Sequence, residues 1–227
     1  MIIPFGSYKI RTHEQGNVFI YGMAITSLIS ILASGISTFS VCAIVLCASC
    51  IGFFRDPERI TVSRNNNDIF SAADGVVTAI AKEVSCPKEL ETVKGKKFTK
   101  ISTFLSVFNV HVNRSPVEGE VKEIAYHKGL FINASSDKSS DKNERNSVVI
   151  QAKDSKEKIA VVQIAGLIAR RIICDANAKQ VLEAGERFGI IKFGSRVDLY
   201  IPKNYNVNVN IGQTVIAGET IMAFEKQ

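Results

Sequence analysis

Ser195, His111 and Asp74 are of the three residue types that together carry out nucleophilic chemistry. Ser195 follows Gly194 in the run GERFGIIKFGSRVDLYIP, Gly185 to Pro202. A Gly-Ser pair between two strand-like segments reads first as a turn, because such dipeptides are common turn formers. It also reads as a peptide bond that the protein breaks in itself, since a glycine carbonyl is open to attack and its backbone tolerates strain. Of the three histidines, His13 precedes a long apolar stretch and His127 sits in the loop-like Tyr126-His127-Lys128-Gly129. His111 lies instead inside the apolar run Phe104–Pro116, where an imidazole needs a hydrogen-bond partner. It is either a buried structural histidine or a general base, whose ordinary pKa of about 6.5 lets it take and return protons near neutrality. Asp74 precedes Gly75. It is either a turn aspartate or the carboxylate that fixes a histidine tautomer and stabilises its imidazolium. Arg170 and Arg171 follow the apolar segment Gln163–Ala169, either as a rim pair or as an anion site, since guanidinium matches phosphate and carboxylate bidentately. These residues are far apart in sequence, so spacing alone does not join them.

The elements that must position them are mainly strands. Gly189–Phe193 and Val197–Ile201 flank the Gly-Ser pair, and the second alternates apolar and polar positions as a strand does. Beyond residue 60 the pattern is short strands cut by glycine. A weak internal repeat runs through it: Ser71–Ile80 resembles Ser115–Ile124, and Ala184–Ile190 resembles Ala217–Ala223. Each unit reads as turn then strand, which predicts a small barrel or sandwich of matched halves. Ser135–Asn146, SSDKSSDKNERN, is a polar, charged loop with no core-forming residues.

Ahead of this β region, residues 1–17 form a polar lead. Residues 18–54 then carry no charge at all. A bilayer core needs about 20 apolar residues as helix, so this run is longer than one span and just short of two. Ser34-Gly35 near its middle suits a helical hairpin; a single long tilted span, an interfacial helix pair and the buried helices of a soluble protein are the alternatives. Lys9 and Arg11 before it and Arg55 and Arg59 after it place both ends on the cytoplasmic side by the positive-inside rule. Arg55-Asp56-Pro57 ends the helix, and residues 55–227 form the β domain.

Composition excludes several classes. The net charge of +6 is mild, and no basic run, zinc-finger spacing or aromatic-basic alternation speaks for nucleic acid. Five cysteines, three of them in the apolar stretch, make no disulfide framework or metal set. No Walker loop, dinucleotide fingerprint, nucleophile elbow or zincin motif is present.

Five segments in order carry a resemblance: AADG (Ala72–Gly75), FNVHVNRSPVEGEV (Phe108–Val121), NERN (Asn143–Asn146), QIAGLIARRI (Gln163–Ile172) and GERFGIIKFGSRVDLYIP. Together they resemble the short bacterial and archaeal phosphatidylserine decarboxylases, over nearly the whole chain. The resemblance implies a phospholipid-synthesising lyase at the cell membrane whose cofactor is a covalent pyruvoyl group, with no metal and no pyridoxal phosphate. It implies self-cleavage between Gly194 and Ser195 into a β chain, 1–194, and an α chain, 195–227, that remain associated. Ser195 would become the pyruvoyl group and form a Schiff base with the serine amine of the lipid. His111 and Asp74 would complete the processing triad. Arg114, Arg170 or Arg171 would hold the substrate's phosphate or carboxylate. Larger family members carry a second histidine three residues before the triad histidine; here that position is Phe108. The resemblance leaves room for a homo-oligomer. The alternative from another class is a non-catalytic, membrane-tethered barrel that carries or binds a partner.

Overall fold

The structure, a computed structural model, describes residues 2–5, 8–64, 67–132, 142–166, 171–192 and 195–226. It forms two compact units, 1–58 and 59–227.

In the first unit, strands β1 (Ile2–Phe5) and β2 (Tyr8–Arg11) pair antiparallel, and helices α1 (Asn17–Ser34) and α2 (Thr38–Phe53) follow. The chain reverses between the helices at Gly35, whose φ of 64° suits a residue without a Cβ. Ser37 then starts α2 through a capping box with Ser40. The helix pair is tied at its base, where the His13 amide donates to the Phe54 carbonyl at 2.8 Å and the Asp56 amide to the Arg11 carbonyl at 2.8 Å. Gly16 lets the Phe54 ring sit against the backbone, since a Cβ there would lie 2.4 Å from Cγ of that ring. The surface of this pair is inverted relative to a helix pair in water. Ser27, Ser30 and Ser40 are buried, while Leu28, Leu32, Phe39 and Val45 are exposed. Ser27 and Ser40 spend their hydroxyls on the Met23 and Gly35 carbonyls, at 2.7 and 3.1 Å. Residues Glu14–Ser34 are long and apolar enough to cross a membrane by length and composition.

The second unit is built of strands, as the alternation predicts. The first seven are β3 (Ile69–Phe70), β4 (Gly75–Ser85), β5 (Lys97–Leu105), β6 (Val112–Arg114), β7 (Gly119–His127), β8 (Arg145–Ala152) and β9 (Lys158–Ala165). Then come β10 (Arg171–Cys174), β11 (Val181–Leu182), β12 (Arg187–Lys192), β13 (Ser195–Pro202), β14 (Tyr205–Val207), β15 (Thr214–Val215) and β16 (Ile221–Glu225). Eight of them form one antiparallel sheet in the order β11-β7-β8-β9-β13-β5-β4-β15. Irregularities of register in β4 and β7 bend it. Two three-stranded sheets, β10-β12-β6 and β14-β16-β3, complete the unit.

The internal repeat is visible atom by atom. Ser71 Oγ donates to the Ala73 carbonyl and Ser115 Oγ to the Val117 carbonyl, each at 2.7 Å. Gly75 and Gly119 then open β4 and β7, and a Cβ on either would lie 2.2 Å from a neighbouring strand's carbonyl oxygen, that of Phe104 or Gln151. The Gly218 amide donates to the Ser71 carbonyl and the Gly185 amide to the Ser115 carbonyl, both at 2.8 Å. Two copies of one turn-strand device thus face each other.

The eight-stranded sheet has an apolar layer on each face. Val197, Leu199 and Ile201 of β13 join the larger core with Ile101, Val148, Ile150 and Val161. Tyr200 joins a smaller one with Leu90, Phe98, Val149, Val162 and Ile164. Successive strand residues point to opposite faces, so Ser195 looks into the larger core and Arg196, Asp198 and Tyr200 look the other way.

On that outer face Arg145 grips Glu89 through Nε and Nη2 at 2.6 and 2.8 Å. Burial works against ionisation of Glu89, but the bonds and charge of Arg145 outweigh it and hold the carboxyl below its ordinary value. A carboxylate with a depressed native pKa adds stability that is present above its unfolded pKa and lost as pH falls through the native one. We therefore expect Glu89→Gln to lower the melting temperature at pH 7 and to change it little at pH 3, read by thermal melts across that range.

Candidate active site

Ser195 opens β13 opposite Leu105 of β5 on one side and Ala165 of β9 on the other. It is fully buried, and its Oγ has no hydrogen-bond partner among the described residues. A buried hydroxyl left unsatisfied costs about 1–3 kcal/mol. Natural folds retain such a group where it is used.

His111 is also fully buried, just before β6. The turn that delivers it is closed by the Asn109 amide donating to the Ser106 carbonyl at 3.0 Å and clamped by Asn109 Oδ1, which accepts from the Ser106 amide and hydroxyl at 2.9 and 2.8 Å. His111 Nδ1 lies 2.9 Å from the Asn109 carbonyl. A carbonyl only accepts, so this contact puts the proton on Nδ1 and leaves Nε2 as the basic nitrogen. Phe108, at the tip of the turn, is 84% exposed. It brings no proton-transferring group to the position where larger relatives have a histidine.

The register sets His111 and Ser195 at the ends of their strand pairs that adjoin positions 193–194. Along β6 and β12, Asn113 lies opposite Gly189 and Val112 opposite Ile190, and the Ile191 amide donates to the His111 carbonyl at 3.3 Å. Moving from Asn113 to His111 is therefore moving along β12 towards Ser195. On β9, Gln163 lies opposite Val197 and Ala165 opposite Ser195. Moving from Gln163 to Ala165 thus leads to the same point. Gln163 Nε2 donates to Asn113 Oδ1 at 2.8 Å, which ties the β6 face carrying His111 and Asn113 to the β9–β13 face carrying Gln163 and Ser195.

Asp74 reaches this end of the sheet through β4. Gly75 opens that strand, Val76 lies opposite Phe104 on β5, and Leu105 lies opposite Ser195. The Asp74 carboxylate accepts from Arg59 Nη2 at 3.0 Å and from the Ala217 amide at 2.8 Å. Its counterpart in the second repeat, Glu118, is a surface residue paired with Lys153 at 2.6 Å. The turn needs the glycine in both halves; only the first half buries its acid.

The candidate arginines separate. Arg114 is buried and donates through Nη1 to the Gly185 carbonyl at 2.9 Å. Arg171 is exposed at the start of β10, opposite Lys192. Burial and the neighbouring Arg171 charge hold the Lys192 ammonium below its ordinary value. Arg170 and Gly194 lie outside the described residues, as do positions 135–141 of the polar loop. Asn109, Arg59, Lys192 and the Asn113–Gln163 link were not singled out as chemistry by the sequence. A side-chain partner 50 residues away, as Asn113 is from Gln163, leaves no local pattern to read.

A cavity of about 690 Å³ opens elsewhere, lined by Cys86, Lys88, Glu89, His127, Arg145 and Tyr200. It lies on the face of β13 opposite Ser195. Burial pushes the Cys86 thiol up to about 12 and raises the Tyr200 hydroxyl as well. Both shifts disfavour the ionised, nucleophilic forms, and the cavity lies away from the Ser195 face of β13.

A family model described as phosphatidylserine decarboxylase matches residues 46–223. Over 212 residues the chain is 49% identical to a phosphatidylserine decarboxylase proenzyme of Wolbachia pipientis wMel, covering 93% of this chain and 90% of the relative. A proenzyme of the same description from Ruegeria pomeroyi is 48% identical over 212 residues, covering 93% and 94%.

Proposed function

The chain belongs to the phosphatidylserine decarboxylase family, and we propose that it makes phosphatidylethanolamine and CO₂ from phosphatidylserine after cutting itself between Gly194 and Ser195. The observation that carries this reading is the buried Ser195 hydroxyl without a partner among the described residues, and the strand registers that lead from His111 and Asp74 towards it support the reading. In the precursor, His111 takes the Ser195 proton through Nε2 as Oγ attacks the Gly194 carbonyl, and the chain shifts from amide to ester. Asp74, held by Arg59 and the Ala217 amide, supplies the negative charge that favours imidazolium. β-Elimination of the ester releases Gly194 as a carboxylate and leaves dehydroalanine at 195. Tautomerisation and hydrolysis expel ammonia and leave a pyruvoyl group.

Ser195 fits that conversion. Its hydroxyl anchors none of the described residues, so its loss breaks no hydrogen bond among them. The strand pairs on both sides of it hold the two chains together after the cut. Once formed, the group supplies an electrophilic carbonyl that takes the substrate amine and accepts the electrons released with CO₂. Arg171, the exposed arginine among the described candidates, is the residue we assign to the headgroup's anion, with Lys192 beside it. The inverted surface of the helical unit fits hydrocarbon. With a substrate that stays in the bilayer, it supports a location at the cell membrane, and the charges at the helix ends support a catalytic unit on the cytoplasmic side.

The test is CO₂ release from phosphatidylserine labelled in the serine carboxylate, presented in mixed micelles to the purified full chain. Labelled CO₂ and phosphatidylethanolamine should appear in equal amounts. A self-cleaved protein that turns over no serine lipid would contradict the assignment.

A further inference from the structure

The end of the sheet that carries Ser195 is flanked by large apolar side chains open to solvent. On the β5 side, Leu105 lies opposite Ser195, and the turn that follows leaves Val107 42% and Phe108 84% exposed. On the β9 side, Ala165 lies opposite Ser195. The Ala165 amide donates to the Glu144 carbonyl at 2.9 Å, and the Glu144 amide to the Leu130 carbonyl at 3.0 Å. Leu130, brought beside this strand end by those two bonds, is 57% exposed. Apolar residues scattered singly over a surface are ordinary. Exposed ones that flank one spot from two separate elements mark a contact with something apolar.

The turn is built to present its tip. Asn109 Oδ1 accepts from the Ser106 amide and hydroxyl, so the backbone that carries Phe108 is already ordered and little is lost when the ring is covered. Charge at this end favours an anionic partner. Arg171 is exposed opposite Lys192, where β12 runs on towards Ser195. The acids Asp74 and Glu219 are both answered by Arg59, at 3.0 and 3.5 Å. Residues 1–58 carry three basic and three acidic side chains, so the chain's net charge of +6 belongs to the unit that holds Ser195. Apolar tips beside an exposed cation on a basic unit suit a bilayer interface, where apolar side chains enter the acyl boundary and basic ones meet anionic headgroups.

We propose that Val107, Phe108 and Leu130 form a lipid-docking rim that seats the catalytic unit on the surface of an anionic bilayer, with Arg171 against the headgroups. A lipid then passes to the reacting group at position 195 without its chains crossing water. The inference rests on the lipid-acting site proposed above.

The chain has no tryptophan, so Phe108→Trp places a single reporter in the rim. The full chain is reconstituted in vesicles of phosphatidylcholine and phosphatidylglycerol, either plain or brominated near the top of the acyl chains. Bromine should quench the fluorescence of Phe108→Trp by about half, as for a ring about 5–10 Å into the headgroup boundary. Val181→Trp is the control. Val181 is 64% exposed and shares a row with Glu120, Gln151 and Lys158, at the opposite end of β9 from Ala165; its tryptophan should keep full intensity. Turnover gives a second reading. Phe108→Asp and Leu130→Asp should each lower the ratio of decarboxylation of vesicle-borne phosphatidylserine to that of its water-dissolved dibutanoyl form by about tenfold, the factor for losing the cover of one apolar side chain. Two variants on separate elements keep that reading available if one does not fold. Equal intensity of Phe108→Trp in plain and brominated vesicles, quenching of both tryptophans alike, or ratios within about twofold of the unaltered chain's would overturn the proposal. So would emission that follows the protein-to-lipid ratio but not bromine, which would assign the rim to a second copy of the chain. An unaltered chain that decarboxylates neither form of the lipid would remove the activity proposed above, while the bromine reading still decides the docking.

Discussion

Replacing Ser195 with alanine should leave a single uncut chain of 227 residues with no decarboxylase activity. Alanine removes one oxygen atom, and that oxygen makes no hydrogen bond to the described residues. The neighbouring strand pairs to Leu105 and Ala165 are backbone contacts and survive. Losing a buried unsatisfied hydroxyl is expected to leave stability unchanged or raise it by about 1 kcal/mol. The variant therefore separates chemistry from folding: it should melt no lower than the precursor while cleavage is lost altogether. Gel electrophoresis of the purified variant, its melting curve and labelled CO₂ release check the three parts. Cleavage at position 194 in this variant, or CO₂ release from its uncut chain, would contradict the account.

His111→Asn should have the next largest effect. The asparagine amide keeps a donor for the Asn109 carbonyl, the bond now made by Nδ1, but supplies no basic nitrogen in place of Nε2. General base catalysis of this kind is worth about 10²–10⁴-fold, so precursor should accumulate as processing slows by that factor. The fold should persist, since the clamp of Ser106 on Asn109 is untouched. A time course of precursor and fragment by gel, with circular dichroism of the precursor, reads both. Processing at the unaltered rate would remove His111 from the role of base.

The duplicated turn was legible because its requirement is local. A serine hydroxyl bonding two residues ahead and a glycine pressed against a neighbouring carbonyl leave the same letters at Ser71–Gly75 and Ser115–Gly119. That repetition also separates the two readings of Asp74. The Asp-Gly letters alone suit a turn, and Glu118-Gly119 is such a turn with its acid on the surface. The burial of Asp74 and its bonds to Arg59 and Ala217 are long-range facts. The same holds for the arginines. Arg114, Arg170 and Arg171 look alike as letters, yet Arg114 is buried against the Gly185 carbonyl and Arg171 is exposed. The Asn113–Gln163 link was hidden for a further reason. Its two residues sit in separate motifs, and only the pairing of β9 with β13 and the reach of Gln163 to β6 make them neighbours.

The central claim is that Ser195 is a serine only in the precursor, and the mass of the C-terminal fragment tests it most directly. Intact mass spectrometry of the purified full chain should find two polypeptides, 1–194 and 195–227. The smaller should weigh less than the serine-started peptide by one molecule of ammonia and resist sequencing from its amino end. A single unbroken chain, or a fragment 195–227 that still begins with serine, would contradict it.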